Sequence, residues 1–91
     1  MKKSVRLTIQ GSVQPTFFNR FIKENAEKLG VKGFIRNKGD GILEIFIEGN
    51  MNEVNEMLIA CKAGPQHSMI RSIIEKEEKY QGFSDFKIMN F

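Results

Sequence analysis

The stretch that decides the fold runs from Gly33 to Gly49 and reads GFIRNKGDGILEIFIEG. Two short apolar runs lie on either side of a polar turn whose centre is the pair Asp40-Gly41. Aspartate and glycine tolerate the positive φ angles that tight turns require, so the stretch predicts a β-hairpin. Its strands are Gly33–Asn37 and Ile42–Glu48, and the residues of the second strand that face one way are Leu43, Ile45 and Ile47.

A strand and a helix are predicted before the hairpin. Apolar and polar residues alternate over Val5–Gln10, which is the period of a strand with one buried face. Apolar residues then recur at helical spacing over Phe18–Leu29, and Gly30 is a natural stop for that helix.

A second helix and two strands are predicted after the hairpin. Asn50 or Asn52 can cap the helix, which Gly64-Pro65 ends. Its inner face is formed by Val54, Met57 or Leu58, and Cys61, and the strands are Met69 to about Glu77 and Phe83–Met89. The order β-α-β-β-α-β with a short fifth strand predicts an α+β protein, a ferredoxin-like α/β sandwich with both helices on one face of an antiparallel sheet.

Length and composition favour one globular domain over residues 1–91. The chain is 41% hydrophobic and 27% charged, as in ordinary soluble proteins. No apolar run approaches the roughly 20 residues that cross a bilayer, and Met1-Lys2-Lys3 leads straight into alternating residues rather than a signal peptide. We therefore expect a cytoplasmic monomer that does not bind membranes.

The charge is uneven along the chain. Residues 1–40 hold nine Lys and Arg against three acidic residues, which gives +6, whereas residues 41–91 hold five against eight, which gives −3. A basic half can attract small anions or nucleic acid, although scattered lysines often only keep a surface soluble. The run Glu75–Lys79 alternates in sign and predicts a solvated strand end, with a partner contact as the alternative.

The single cysteine and single histidine are given structural roles. Cys61 lies in a helical pattern and is expected to be a small buried hydrophobe. His67 lies in a predicted loop, and one histidine cannot build a metal site without partners of its own type.

The segment between the first strand and the first helix reads QGSVQPTFFNR over residues 10–20. A glycine and a short polar loop before a helix are typical of a site where backbone N–H groups hold an anion. Here the loop contains Pro15, which has no N–H to offer.

The whole chain resembles the acylphosphatase family, whose members hydrolyse acyl phosphates to a carboxylate and inorganic phosphate. One family signature, a glycine and an aromatic residue followed by an asparagine, a turn and two further glycines, is matched in the hairpin stretch. The end of the chain, Ser84–Ile88, is similar to the family's last strand. The matching hairpin residues are Gly33, Phe34, Ile35, Arg36, Asn37, Gly41, Leu43 and Gly49.

The other family signature is only partly matched. The family pattern is glycine, any residue, Val-Gln-Gly-Val, any residue, Phe-Arg, and this chain reads GSVQPTFFN over residues 11–19. The second glycine is replaced by Pro15, the second valine by Thr16 and the arginine by Asn19. The residues that match are Gly11, Val13, Gln14 and Phe18.

The resemblance implies a site that needs neither a metal nor a cofactor and takes a small anion or an acyl phosphate. In the family, an arginine holds the phosphate, an asparagine orients the attacking water, and loop N–H groups cradle the oxygens. Here Asn19 would stand at the arginine position and Asn37 would be the water-holding asparagine. The substrate-binding loop would comprise Gln14, Pro15, Thr16, Phe17 and Phe18.

Asn19 cannot replace an arginine, because it offers neutral donors on a short stem in place of a fixed positive fork. Thr16 could instead cap the helix by accepting a hydrogen bond from the Asn19 N–H, which would make the loop self-satisfied. Asn37 likewise has a structural alternative, because asparagine at a strand end often bonds to the turn that follows.

Three hypotheses follow. The first is a family member whose hydrolysis is absent or strongly impaired, because Asn19 and Pro15 replace the arginine and the glycine. The second is an active enzyme in which Arg20 binds phosphate and Asn37 orients water, although one step along a helix turns a side chain by about 100°. The third is a small basic nucleic-acid-binding module, which the sheet disfavours because only isolated aromatics such as Phe46 lie there, among glutamates.

Overall fold

The computed structural model describes residues 1–66 and 68–89, so His67 and its predicted loop position lie outside the described residues. Five strands form one sheet in the order β4-β1-β3-β2-β5. The elements, in chain order, are β1 Lys2–Ser12, α1 Pro15–Leu29, β2 Lys32–Gly39, β3 Ile42–Asn50, α2 Met51–Ala63, β4 Met69–Glu78 and β5 Phe86–Met89. This is the predicted ferredoxin-like βαββαβ order with a short fifth strand. Neither helix of this described part is long and apolar enough to span a bilayer.

The sheet is mixed, and the prediction of an antiparallel sheet is wrong at one edge. β1 pairs antiparallel with both β3 and β4, and β2 pairs antiparallel with β3. β5 runs parallel to β2, with Gly33 opposite Phe86 and Ile35 opposite Ile88. The chain leaves β4 at one edge of the sheet and reaches the other edge before β5 begins, and a crossover of this kind permits parallel pairing.

The core lies between one face of the sheet and the two helices. Alternate residues of β1 and β3 meet the apolar faces of both helices there, as the sequence period predicts. Each fully buried Leu, Ile, Val or Phe stabilises the fold by about 1.5–3 kcal/mol relative to exposure. The side chains that hold the layers together are Val5, Leu7, Ile9, Phe18, Ile22, Ala26, Ile45, Ile47, Val54, Met57 and Cys61.

The hairpin between β2 and β3 forms at the predicted position. Asp40 has φ 55° and Gly41 has φ 74°, so both central residues of the turn are left-handed, as two-residue hairpin turns require. Asn50 caps α2 by position, and Gly30 ends α1 with φ 71°. Met57 and Leu58 are both buried, so both of the alternatives for the inner face of α2 contribute.

The outer face of the sheet carries an aromatic cluster, which corrects the prediction of isolated aromatics. The ring of Phe83 lies 5.7 Å from that of Phe34 and 5.5 Å from that of Phe46, and Phe46 is fully buried. The strand predicted from Phe83 begins only at Phe86, because residues 79–85 cross this outer face before β5 forms. The aromatics are therefore covered by the chain itself.

A buried carboxylate holds the crossing segment in place. Glu48 is fully buried and accepts hydrogen bonds from the Gln81 N–H at 2.8 Å and the Phe83 N–H at 2.6 Å. It also accepts one from the Ser4 hydroxyl at 3.1 Å. A buried charge is tolerated when its oxygens are hydrogen-bonded in this way.

Candidate functional site

The helix α1 starts earlier than the sequence suggests, and its cap is a different residue. Pro15 is the first residue of the helix and Gln14 is the N-cap, whose Oε1 accepts a hydrogen bond from the Thr16 N–H at 3.3 Å. The Phe18 N–H donates to the Gln14 carbonyl oxygen at 2.9 Å. The predicted capping of Asn19 by Thr16 is therefore wrong. Proline fits the first helical position well, because its missing N–H has no partner inside the helix anyway.

The loop before α1 is fixed by a close approach of three strands. Gly11 donates its N–H to the carbonyl oxygen of Gly41 at 3.1 Å, which ties β1 to the hairpin turn. A Cβ on Gly11 would lie 2.1 Å from the carbonyl oxygen of Met69, the first residue of β4. Only glycine fits at such a distance.

The side chain of Asn37 is used by the hairpin turn. Its Oδ1 accepts a hydrogen bond from the Gly39 N–H at 2.8 Å. Asn37 lies near the end of β2, where the pairing with β3 shifts between Asn37 and Gly39, and its side chain is exposed. Asn37 therefore has the structural role that the sequence offered as an alternative, a hydrogen bond to the turn that follows it.

Asn19 is half-buried on α1, and its carboxamide oxygen is enclosed. Within the described residues, Asn19 Oδ1 has no hydrogen-bond partner. An enclosed acceptor without a donor costs about 1–3 kcal/mol. The residue that the resemblance places at the arginine position is therefore an unsatisfied polar group rather than a cation.

A groove runs along α1 beside Asn19 and has a volume of about 360 Å³. Its lining residues lie three or four apart along the helix, as neighbours on one helical face do. They are Thr16, Asn19, Arg20, Lys23, Glu24 and Glu27, together with Ile88 of β5. The structure thus brings Thr16, Asn19 and Arg20 to one surface, and Arg20 is exposed there.

The other predicted site residues do not line this groove. Phe18 is fully buried in the core, whereas Phe17 is 60% exposed. Gln14 and Pro15 form the start of the helix. The sequence analysis missed Lys23 and Ile88. Lys23 could have been found from its spacing of four residues after Asn19, but Ile88 is brought there only by the pairing of β5 with β2.

Cys61 and the possible metal-ligating side chains of the described residues lie as follows. Burial raises the pKa of the Cys61 thiol to about 12, which keeps it protonated and unreactive at neutral pH. Among residues 1–66 and 68–89, no three His, Cys, Asp or Glu side chains are grouped so that they could hold a metal ion.

Comparison with known proteins identifies the family of this chain. The family model described as Acylphosphatase matches residues 5–88. The chain belongs to the acylphosphatase family. It is 39% identical over 80 residues to an acylphosphatase of Rubrobacter xylanophilus, which covers 88% of this chain and 73% of that protein. It is 36% identical over 90 residues to an acylphosphatase of Syntrophus aciditrophicus, which covers 98% of this chain and 94% of that one.

A solved acylphosphatase has the same architecture. The crystal structure of acylphosphatase from Bacillus subtilis superimposes with a TM-score of 0.88 at 30% identity, covering 98% of this chain and 99% of that one. The acylphosphatase fold of this chain therefore extends over nearly its whole length.

Two further glycines of the acylphosphatase signatures have packing roles in this chain. A Cβ on Gly33 would lie 1.8 Å from the carbonyl oxygen of Phe46, and one on Gly41 would lie 2.6 Å from that of Gly11. Both glycines also have positive φ angles. Three of the signature glycines that this acylphosphatase-family chain keeps, Gly11, Gly33 and Gly41, let strands approach each other.

Proposed function

We propose that this protein is an acylphosphatase-family member in which hydrolysis of acyl phosphates is absent or strongly impaired. The observation that supports this is Asn19, a neutral carboxamide with an enclosed, unpartnered oxygen at the arginine position. A carboxamide offers only neutral N–H donors where an arginine would present a charged fork, so this position attracts a phosphate far less strongly.

The chemistry explains why a single charge matters. The leaving carboxylate has a conjugate acid with a pKa of about 4, so no general acid is needed at neutral pH. Phosphoryl transfer then depends on positioning and on stabilising the charge of the equatorial oxygens. Arginine fingers in such reactions are worth about 10³–10⁵ in rate, which is about 4–7 kcal/mol.

The start of α1 supports the same conclusion. Pro15 provides no N–H, and the Thr16 N–H donates to the side chain of Gln14. The Phe18 N–H is used in the first helical turn. Two backbone donors of the first turn, those of Thr16 and Phe18, are thus engaged inside the protein, and a phosphate bound to the Thr16 N–H would have to displace the Gln14 side chain.

The side chain that would orient the attacking water is held by the hairpin turn. Asn37 would have to orient the attacking water, yet its oxygen already accepts from the Gly39 N–H. Its amide nitrogen and the second lone pair of its oxygen can still bind a water, but the bond to Gly39 holds the side chain towards the turn.

An active enzyme that uses Arg20 is the second candidate, and one observation favours it. Arg20 is exposed and lines the same groove as Asn19. Its guanidinium is the kind of group that binds a phosphoryl group by two parallel hydrogen bonds. Both candidates therefore assign the anion to the same end of α1, and they differ in whether Arg20 does the work of the missing arginine.

Steady-state hydrolysis of benzoyl phosphate tests the proposal, with the Bacillus subtilis acylphosphatase as the active reference. We expect kcat/KM to be at least about 10³-fold lower for this protein. Arg20→Gln should change the residual rate by less than about threefold, as should Arg71→Gln on β4, the control for a lost surface charge. A wild-type rate within tenfold of the reference would refute the proposal. A loss of a hundredfold or more in Arg20→Gln alone would establish the second candidate.

A further inference from the structure

β4 forms one edge of the sheet and offers a long free strand. It is paired with β1 from Ser4 to Ser12, so its backbone is held in an extended conformation. Within the described residues no strand lies on its other side. The opposite edge is β5, which has only four residues against the ten of β4. An edge of this length presents a row of unpaired N–H and C=O groups to another strand.

The free edge also exposes large apolar side chains. Ile74 is 64% exposed and Met69 is 69% exposed. Ile74 lies in the middle of β4, opposite Thr8 of β1. Isoleucine favours strands because it packs against the strand beside it, and on this side of β4 there is no such neighbour in the described part of the chain.

Charged residues normally protect an edge strand from pairing, but two of the charges on β4 are neutralised within the chain. Glu75 forms an ion pair with Lys62 of α2 at 2.8 Å, and Glu78 forms one with Arg6 at 2.7 Å. The charged residues of β4 outside these two pairs are Arg71, Lys76 and Glu77.

We propose that two copies of this chain associate by pairing β4 antiparallel with β4 of the other copy, which joins the two sheets into one. A two-fold axis at Ile74 places this residue opposite Ile74 of the second copy. Arg71 of each copy then lies opposite Glu77 of the other, which gives two complementary charge pairs. Ser72 lies opposite Lys76, and no like charges face each other.

The sequence of β4 favours this register over one centred on Glu75. Moving the axis to Glu75 would place that residue opposite its own copy and would set Ile74 against Lys76. Like charges directly opposite each other in a sheet are unfavourable, whereas apolar and opposite-charge pairs stabilise it. A two-fold interface uses the same surface on both copies, so one strand with complementary halves is sufficient. This association departs from the monomer expected from the sequence.

Sedimentation equilibrium over a range of concentrations tests the association. The mass of the wild type should rise from 10.5 kDa towards twice that value by about 100 μM, because a small interface gives a dissociation constant in the micromolar range. Ile74→Lys should raise that constant at least tenfold. Ile59→Lys is the matched control, because Ile59 is 71% exposed on α2 and should leave the dimer unchanged.

A charge exchange tests the register. Arg71→Glu should weaken the dimer, and adding Glu77→Arg in the same chain should restore it, since the two charge pairs are then reversed. Circular dichroism checks that each variant is folded. A wild type that stays at 10.5 kDa up to about 500 μM overturns the proposal. It is equally overturned if Ile59→Lys weakens the dimer as much as Ile74→Lys, or if the double variant stays as weak as Arg71→Glu.

Discussion

At the scale of single residues, the residues of the two family signatures fall into two groups, those that this chain keeps and those that it replaces. Three of the glycines that remain, Gly11, Gly33 and Gly41, stand where a Cβ would meet a carbonyl oxygen of another strand. The residues that differ, Pro15, Thr16 and Asn19, lie in the first two turns of α1, where the proposed function places the anion. This chain thus keeps the glycines that the fold needs, together with Gln14 and Asn37, and departs from the family at the arginine and at two positions of the loop.

We predict that Asn19→Arg raises kcat/KM for benzoyl phosphate at least tenfold but leaves it well below that of an active relative. The new guanidinium supplies the positive fork, while Pro15 still withholds an N–H from the loop. Adding Pro15→Gly should raise the rate at least about tenfold more. Asn52→Arg, which adds the same charge on α2, is the control and should have no effect. Full recovery from Asn19→Arg alone would show that Pro15 is harmless.

Glu48 holds the crossing segment through two backbone hydrogen bonds. We predict that Glu48→Gln lowers the free energy of unfolding by about 2–4 kcal/mol, because it removes charge-assisted bonds and turns an amide N–H₂ towards buried donors. Urea denaturation measures this change. The exposed Glu56→Gln should stay within about 0.5 kcal/mol of the wild type. Equal effects of the two substitutions would contradict the role given to Glu48.

At the scale of elements, β1 and β4 approach each other most closely just before the loop that leads into α1. The pairing of the two strands shifts between Gln10 and Gly11, and Gly11 faces the backbone of Met69 and Ile70. A bulge at such a point bends the strand and aims the following residues. The start of α1 is therefore positioned by strand packing.

Gly11→Ala tests this close approach. Because the obstructing atoms belong to the backbone, we expect the strands to separate locally and the free energy of unfolding to fall by more than about 3 kcal/mol. Ser12→Ala, at the exposed next position, should change it by less than about 0.5 kcal/mol. Thermal and urea unfolding compare the two. A cost below about 1 kcal/mol for Gly11→Ala would show that the loop adapts easily.

At the scale of the whole molecule, an ion-pair network on the outer face of the sheet joins four strands. Arg6 of β1 donates to Glu44 of β3 at 2.5 Å and to Glu78 of β4 at 2.7 Å, and Arg36 of β2 also pairs with Glu44. The Arg6 guanidinium lies 5.2 Å from the ring centre of Phe46. The network therefore links β1, β2, β3 and β4 beside the aromatic cluster.

The network predicts a loss of stability at low pH. Burial is the largest single influence on the pKa of Glu44 and opposes ionisation, but the hydrogen bonds and charges of Arg36 and Arg6 together outweigh it and lower that pKa. A lowered pKa in the folded state means that the stabilisation is complete above the unfolded value of about 4.3 and disappears as the pH falls further.

The corresponding measurement compares the wild type with Arg6→Met. The free energy of unfolding of the variant should be lower by about 2 kcal/mol at pH 7. The difference should shrink as the pH falls below about 4, because Glu44 is then protonated and loses its charge. A constant difference from pH 7 to pH 3 would show that Arg6 acts through packing on the aromatic rings alone.

Most of the fold could be predicted from the sequence because its signals are local. Alternation predicted the strands β1 and β3, helical spacing predicted α1 and α2, and Asp40-Gly41 predicted the hairpin turn. Three starts were wrong by three residues, those of β1, α1 and β5. The starts of α1 and β5 depend on contacts that no local period records, namely the side chain of Gln14 on Thr16 and the carboxylate of Glu48 on Phe83.

The sequence by itself determined the family, the order of the elements and the absence of an arginine at position 19, because these follow from residue types and spacing. Only the tertiary structure decided that Asn37 is bonded to its own turn, that Asn19 and Arg20 share a groove with Ile88, and that the outer aromatics are covered. These facts depend on which strands pair and which segment crosses the sheet. Such long-range arrangements arise from the packing of distant residues, and the chain acquires them only on folding.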